Sequence, residues 1–480
     1  MSTSVRARRI RPGRGPAVGV CGLGYVGIAT AVSFAHYGYL VVGYDIDERR
    51  RRTLAAGECP VNEKGLASPL RRSVRDGRFR VTEGFDDLLR DSELVFLCVP
   101  TPEGPGGEVD SSFLESAATS LGRALRSVSG WRGFVVKSTV PPGTTVGRVR
   151  PLLEAESGRR APEDFDVAAN PEFLAEGSLW HDAIHPSRIV LGVDSGRMRQ
   201  ALDRLYRPYQ APRLFLSPTA AELVKYASNA LLATKISFAN EISRLCESLG
   251  IDVYEVMKGV GMDPRLGPHF LQAGPGFGGS CFPKDLKALL AEGRRIGVDL
   301  PLCAATLTVN ETQAVRLVDR LSTALGGLEG RIVGLLGLAF KAGTSDVRES
   351  RAWPIVATLL ERGAFVHVHD PRATKEFLRE AERRLSPEQQ SRVQVAETAA
   401  KAITGCDAVI LQAAWPEYRR LPAPIWRRMR GDIVLDARRS VRPSVLLSAG
   451  KEYWPLGGPP SRSSGEGPGS SKRSLRGLDG

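Results

Sequence analysis

Short apolar runs recur along the chain, closed by glycine, proline or polar clusters, and they alternate with longer stretches whose apolar positions fall at helical spacing. Residues 17–21, 39–44, 94–99, 134–137 and 167–169 read as buried strands. A second set of runs, at 331–336, 364–369, 408–411 and 433–436, begins after Gly326-Gly327. Between the two sets lie helical stretches at 217–250, 286–296 and 302–325. Ser217 or Thr219 can cap the first of these, with Glu222 completing a capping box three residues after Thr219, and Gly250 ends it. Strands alternating with helices on both sides of an all-helical middle predict an α/β chain. The pattern gives two doubly wound Rossmann-like domains joined by a long-helix central domain. The expected boundaries are a basic arm at 1–15, a first domain at 16–214, a helical domain at 215–326, a last domain at 327–456 and a Gly/Ser/Arg/Pro-rich disordered tail at 457–480.

Composition narrows this little. With 42% hydrophobic and 25% charged residues the chain is ordinary for a globular protein. The formal charge of +13 comes from arginines scattered along the chain. No alternation of basic and aromatic residues suggests a nucleic-acid platform, and an anionic small substrate accounts for the charge equally well. Seven cysteines without a CxxC pair argue against a zinc site or a disulfide framework and for a reducing, cytoplasmic setting. His181/His185 and His367/His369 stand outside any metal motif, so no metal is expected. The uncharged run at 15–44 is punctuated by Gly22, Gly24, Gly27 and Gly38, which suits strand, turn, helix and strand rather than a membrane span.

Gly22-Leu23-Gly24-Tyr25-Val26-Gly27 follows the first strand and opens a helix that runs to His36. Asp45 closes the second strand, 18 residues after Gly27. Strand, glycine turn, helix, strand and acid together form a dinucleotide fingerprint, in which the acid accepts from the ribose hydroxyls and the helix N-terminus faces the phosphates. The aspartate favours NAD over NADP, whereas Arg49 and Arg50 leave room for a 2′-phosphate. Later strands end in Pro100-Thr101-Pro102 and in 138–144, placing polar residues where open α/β sheets bind ligands. The stretch 170–177 carries Glu172 and Glu176, four apart, which on a helix would share one face. Lys225 and Asn229 are likewise four apart on the long helix, whose apolar character suits a domain bridge or a dimer interface. The second nucleotide-fold start, Gly334-x-x-Gly337, is degenerate, and its second strand ends in Asp370.

The chemistry is expected at 276–285, Gly-Phe-Gly-Gly-Ser-Cys-Phe-Pro-Lys-Asp. Small residues before Cys281 let backbone and substrate approach the sulfur, and Lys284 would favour the attacking thiolate. A buried thiol in a glycine-rich turn is the plainer reading of this stretch taken alone.

Taken in order, the motifs at 22–27, 99–102, 138–141, 170–177, 222–241, 276–285 and 338–350 resemble the nucleotide-sugar dehydrogenases of the UDP-glucose/GDP-mannose dehydrogenase family. The likeness covers roughly 17–455 and is strongest to the branch that oxidises UDP-glucose to UDP-glucuronate. It implies an NAD-binding domain, a helical dimer domain and a C-terminal domain that helps hold a UDP-sugar. Two NAD would be reduced per sugar, with the aldehyde held as a thiohemiacetal and then a thioester on Cys281. Lys225 and Asn229 would steady the oxyanion, Glu176 and Asp285 manage protons, and Thr139 position the water. Gly22, Leu23, Gly24, Tyr25, Val26, Gly27, Asp45, Arg50, Thr101, Thr139, Glu176, Lys284 and Arg348 would meet the cofactor. Glu172, Phe173, Leu174, Glu176, Lys225, Asn229, Gln272, Gly276, Phe277, Gly278, Lys341 and Arg442 would meet the sugar nucleotide. Arg265 would enter a neighbouring subunit's site, making the homodimer, or a higher oligomer, functional. Competing readings are a sister enzyme for UDP-N-acetylmannosamine, UDP-N-acetylglucosamine or GDP-mannose, a non-catalytic sensor, and a two-electron hydroxyacid dehydrogenase that would not need Cys281.

Overall fold

The computed structural model describes residues 17–462. The expected arm at 1–15 and the greater part of the expected tail, 463–480, lie outside the described residues. Two compact units divide the chain after Leu231, with residues 284–300 returning to the first. Residues of the expected helical middle domain contribute to both.

The first unit is built on an eight-stranded sheet: β1 (Val18–Cys21), β2 (Val41–Tyr44), β3 (Phe79–Val81), β4 (Leu94–Leu97), β5 (Arg132–Val136), β6 (Phe165–Ala169), β7 (Ile189–Val193) and β8 (Arg213–Leu216). The order is β3-β2-β1-β4-β5-β6-β7-β8, parallel except where β7 runs against β6. β1 pairs Val18 with Val41 on one side and with Leu94 on the other. The strand order therefore reverses between β1 and β4, and an open sheet of this kind binds ligands outside the carboxyl ends of those strands. β1 and β4 are buried along their whole length, which is why they read as continuous apolar runs.

The second unit holds β9 (Ile332–Leu336), β10 (Phe365–His369), β11 (Val393–Val395), β12 (Ala408–Leu411), β13 (Ile433–Asp436) and β14 (Glu452–Pro455) in the order β11-β10-β9-β12-β13-β14, all parallel. Its topology repeats the first six strands of the other sheet. The acid that ends the second strand has a different task here. Asp370 accepts the backbone N–H groups of Leu338 and Ala339 and the indole N–H of Trp415, at 2.8, 3.1 and 3.0 Å. This carboxylate is consumed by the fold.

Two helices carry the candidate chemistry. The long helix is Pro218–Leu249, and the shorter one is Phe282–Ile296. Three expectations change here. The stretch 170–175 carries no regular secondary structure and leads into a turn at Gly177 (φ +87°), so Glu172 and Glu176 do not share a helix face. Glu222 does not complete a capping box; its carboxylate bonds to the loop after β5, and Ser217 Oγ accepts the N–H of Ala220 at 3.4 Å. The tail does not begin at Gly457. Gly457 donates to Glu247 and accepts from Val253, and Tyr453 and Ser461 exchange backbone hydrogen bonds.

Candidate active site

At the end of β1 the glycine turn has the shape the fingerprint requires. A Cβ on Gly27 would lie 1.8 Å from the carbonyl oxygen of Gly22, so the helix Tyr25–His36 sits directly on the turn. A Cβ on Gly24 would meet nothing within 4 Å. One glycine is required by packing, and the other faces open space at a helix N-terminus, where a pyrophosphate fits. Asp45, buried at the end of β2, accepts the N–H of Leu23 at 2.6 Å and that of Asp47 at 2.9 Å. Arg50 donates to the same carboxylate at 3.0 Å. A carboxylate has about four acceptor positions. Three are occupied and capacity remains for a ribose hydroxyl, so the residues present fit a dinucleotide. Tyr25 is exposed beside the turn, Val26 is half-buried, and Leu23 is fully buried.

The ends of β4 and β5 are tied together. Ser138 Oγ donates to Val99 O at 2.7 Å, and Thr101 Oγ1 donates to Thr139 O at 2.9 Å. Beyond β6, Glu172 turns inward to Lys225 on the long helix at 3.2 Å, both side chains nearly fully buried, and accepts the N–H of Leu174. Phe173 is covered by the guanidinium of Arg188 at 3.9 Å and by Lys225 at 5.5 Å from its ring centre. Glu172, Phe173, Leu174 and Arg188 line a cavity of about 210 Å³ that also touches Lys137, Asn170, Tyr206 and Tyr209. Lys137 donates to Asn170 Oδ1 at 3.2 Å, and burial pulls its pKa down. One helical turn past Lys225, Asn229 donates to Asp285 at 2.6 Å, and Lys284 Nζ lies 2.9 Å from the other oxygen of the same buried carboxylate. Asp285 thus gathers Asn229 and Lys284, as Lys225 gathers Glu172 and Phe173. Glu176 sits half-buried in the turn before Gly177, whose N–H is held by Glu63 at 2.9 Å.

In the second unit the loop before Cys281 is held from several sides. Asn310 brackets Phe277, accepting its N–H at 2.7 Å and donating to its carbonyl at 3.1 Å. Asn240 and Gln313 do the same for Gly274, at 2.7 and 3.1 Å. A Cβ on Gly278 would meet the carbonyl of Glu349 at 2.1 Å, and Gly279 donates to Arg348 O at 3.1 Å. The glycines here serve the packing of two backbones, a reason different from the access to sulfur expected of them. Cys281 is the exposed member of the seven cysteines; the others are buried or half-buried. It immediately precedes the helix Phe282–Ile296, whose N-terminus favours negative charge. Burial raises the pKa of Cys98 and Cys406 to about 12, which leaves them inert thiols.

Other expected residues are less engaged. Arg348 pairs with Asp346 at 2.7 Å and Arg265 with Asp263 at 2.6 Å, both guanidinium side chains well exposed. Gln272 is exposed, and Lys341 lies over Phe340. Arg442 is exposed ahead of a short helix, while Arg438 is half-buried and donates to the carbonyl of Gly276 at 3.1 Å. The basic run Arg438-Arg439-Ser-Val-Arg442 signals an arginine there without saying which one turns inward. Asn310, Asn240, Gln313, Glu63 and Arg188 carry no such signal, because each acts through contacts distant in sequence. Among the described residues no cluster of His, Cys, Asp and Glu could hold a metal ion, and no helix is long and apolar enough to cross a membrane.

What this arrangement defines is an NAD-binding α/β oxidoreductase with a candidate cysteine nucleophile. The UDP-glucose/GDP-mannose dehydrogenase family matches along the chain: its NAD binding domain at residues 16–210, its central domain at 219–312 and its UDP binding domain at 334–443. The UDP-glucose 6-dehydrogenase TuaD of Bacillus subtilis is 38% identical over 446 residues, 93% of this chain and 94% of that protein. A UDP-glucose dehydrogenase from the archaeon Pyrobaculum islandicum superposes with a TM-score of 0.84 at 41% identity, covering 94% of this chain and all of the other. A UDP-D-ManNAc dehydrogenase from Pyrococcus horikoshii superposes at 0.79 with 29% identity, covering 92% and 99%. The chain belongs to the UDP-glucose/GDP-mannose dehydrogenase family. It is an NAD-dependent oxidoreductase of the nucleotide-sugar dehydrogenase type, with an NAD-binding, a central and a UDP-binding domain.

Proposed function

We propose that the protein oxidises UDP-glucose to UDP-glucuronate through a covalent intermediate on Cys281. The observation that carries this is the exposure of that one thiol at a helix N-terminus, four residues before a buried aspartate bonded to Asn229. Bound NAD supplies the hydride acceptor for each of the two oxidations. The thiolate of Cys281 adds to the C6 aldehyde, forming a C–S bond and a thiohemiacetal that still carries a transferable hydrogen. After the second oxidation the thioester is cleaved by water, which restores the thiol and leaves the carboxylate. Lys225 and Asn229 hold the oxygen on C6 as it gains negative charge, by charge and by hydrogen bond. Asp285 and Glu176 take the protons released, and Thr139 orders the attacking water.

The other roles follow. Asp45 receives the adenosine ribose of NAD, its negative charge opposing a 2′-phosphate, and Arg50 is bonded to that acid. Thr101, Lys284 and Arg348 complete the cofactor's surroundings. Glu172 through Leu174, Gln272, Gly276 through Gly278, Lys341 and Arg442 receive the UDP-sugar, to which Arg438 is added. Arg265 serves the site of a second copy. The expected domains, 16–214, 215–326 and a last one from 327, follow this division of labour. UDP-glucose is favoured over sister substrates by the higher identity to the UDP-glucose enzymes, 38% and 41%, than to the UDP-D-ManNAc enzyme, 29%. The test is turnover by the purified protein on UDP-glucose, UDP-N-acetylmannosamine, UDP-N-acetylglucosamine and GDP-mannose, with NAD and with NADP. The expected result is a kcat/KM for UDP-glucose with NAD at least about a hundred-fold above the others, a discrimination of about 2.7 kcal/mol. A preference for another sugar moves the substrate and keeps the chemistry.

A further inference from the structure

Glu222 lies on the long helix three residues before Lys225, and its side chain is 4% exposed. Its carboxylate accepts the N–H of Gly143 at 2.6 Å, the N–H of Thr145 at 2.8 Å and the hydroxyl of Thr145 at 2.6 Å. These donors belong to the loop that leaves β5. The near end of that loop is fixed to the residues after β4 by the Ser138 and Thr101 hydrogen bonds. Pro141 and Pro142 stiffen what lies between. Thr139 therefore sits on a strap fastened at one end to β4 and at the other to the helix of Lys225. Every partner of the Glu222 carboxylate is a donor, so a glutamine of the same size would turn its own N–H₂ group against one of them.

We propose that Glu222 is a positioning residue for thioester hydrolysis: it fixes the Thr139 loop to the helix turn that carries Lys225, so that the water and the oxyanion cation keep one geometry. This rests on the roles given to Thr139, Lys225 and Cys281 above. A residue that only capped the helical turn Thr145–Val149 would contribute to stability alone, and hydrolysis separates the two accounts.

The experiment uses the full chain and its variants Glu222→Gln and Thr145→Val, mixed rapidly with NAD and UDP-glucose. NADH is followed in time, and acid-quenched protein is weighed by intact mass spectrometry. Glu222→Gln is expected to release two NADH per site in a burst and then turn over slowly, while a glucuronyl adduct accumulates on Cys281. Its kcat should fall roughly ten- to a hundred-fold and its KM for UDP-glucose should fall in step, leaving kcat/KM nearly unchanged, because the slowed step follows formation of the thioester. Thr145→Val should show the same pattern more weakly, and Thr139→Val should add little in the Glu222→Gln background. A fall in kcat with neither burst nor adduct, or a variant that turns over like the parent, overturns the proposal. Failure of the underlying reading shows itself separately, as one NADH per sugar in the unaltered protein.

Discussion

Gly24 and Gly27 are three residues apart in one motif, yet they answer to different physics. Gly27 is needed by the fold, because any Cβ would enter the carbonyl of Gly22 at 1.8 Å; Gly24 faces open space. The variant Gly27→Ala is expected to unfold the first unit or to lose more than about 3 kcal/mol. Gly24→Ala should melt within a degree or so of the parent and raise the NAD dissociation constant about ten-fold, or about 1.4 kcal/mol. Differential scanning fluorimetry with and without NAD checks both, and equal loss of stability in the two variants would contradict this division. At this scale the sequence was most legible where a residue type has few uses. Asp45 after an apolar strand could be picked out from its place alone, whereas the glycine run around Cys281 reads equally as the seat of a buried thiol, and only the structure shows that thiol exposed. Glu222 could not: a carboxylate near a helix start has a local explanation, the capping box, and only the fold reveals the distant loop it holds. Arg438 and Arg442 show the same limit, since neighbouring arginines of one type differ only in which is turned inward.

Among the elements, the long helix shows both what periodicity reveals and what it leaves open. Its extent was readable to within a residue at each end. Phe238, Leu245 and Leu249 lie on one stripe of it, 49%, 56% and 62% exposed. Exposed large apolar side chains at this spacing are unusual on a free surface. We propose that they pack against a second copy, and the pair Phe238→Glu with Leu245→Glu should convert a dimer to a monomer in light scattering; an unchanged mass would remove this face from the interface. Most central strands were legible because they are buried on both faces, although β7, buried and internal, went unread. The edge strands β3, β8 and β11 were not, being short and partly exposed, with polar residues among the apolar ones. Likewise the spacing of Glu172 and Glu176 means a shared face only on a helix, and Pro171 and Gly177 bracket that stretch. On β10, burial holds the His369 imidazole below its ordinary range. A base with a lowered folded pKa leaves stability intact above the unfolded value, about 6.5. Stability is then lost as pH falls from there toward the folded value. The melting of the second unit should therefore drop between pH 7 and pH 5, and His369→Gln should flatten that slope; an identical slope in the variant would assign it elsewhere.

For the whole molecule, the two sheets repeat one topology with different fates for the same acid. Asp45 keeps acceptor capacity for a ribose, whereas Asp370 spends its own on four backbone N–H groups and an indole. The degenerate second fingerprint announced that difference, and the fold supplies its cause: only the first sheet carries an open glycine turn beside an available carboxylate. The central claim is a four-electron oxidation through Cys281, and stoichiometry tests it most directly. Limiting UDP-glucose with excess NAD should yield two NADH per sugar, read by near-ultraviolet absorbance, and Cys281→Ser should stop net turnover while leaving NAD binding intact. One NADH per sugar, or full turnover by Cys281→Ser, would contradict the account.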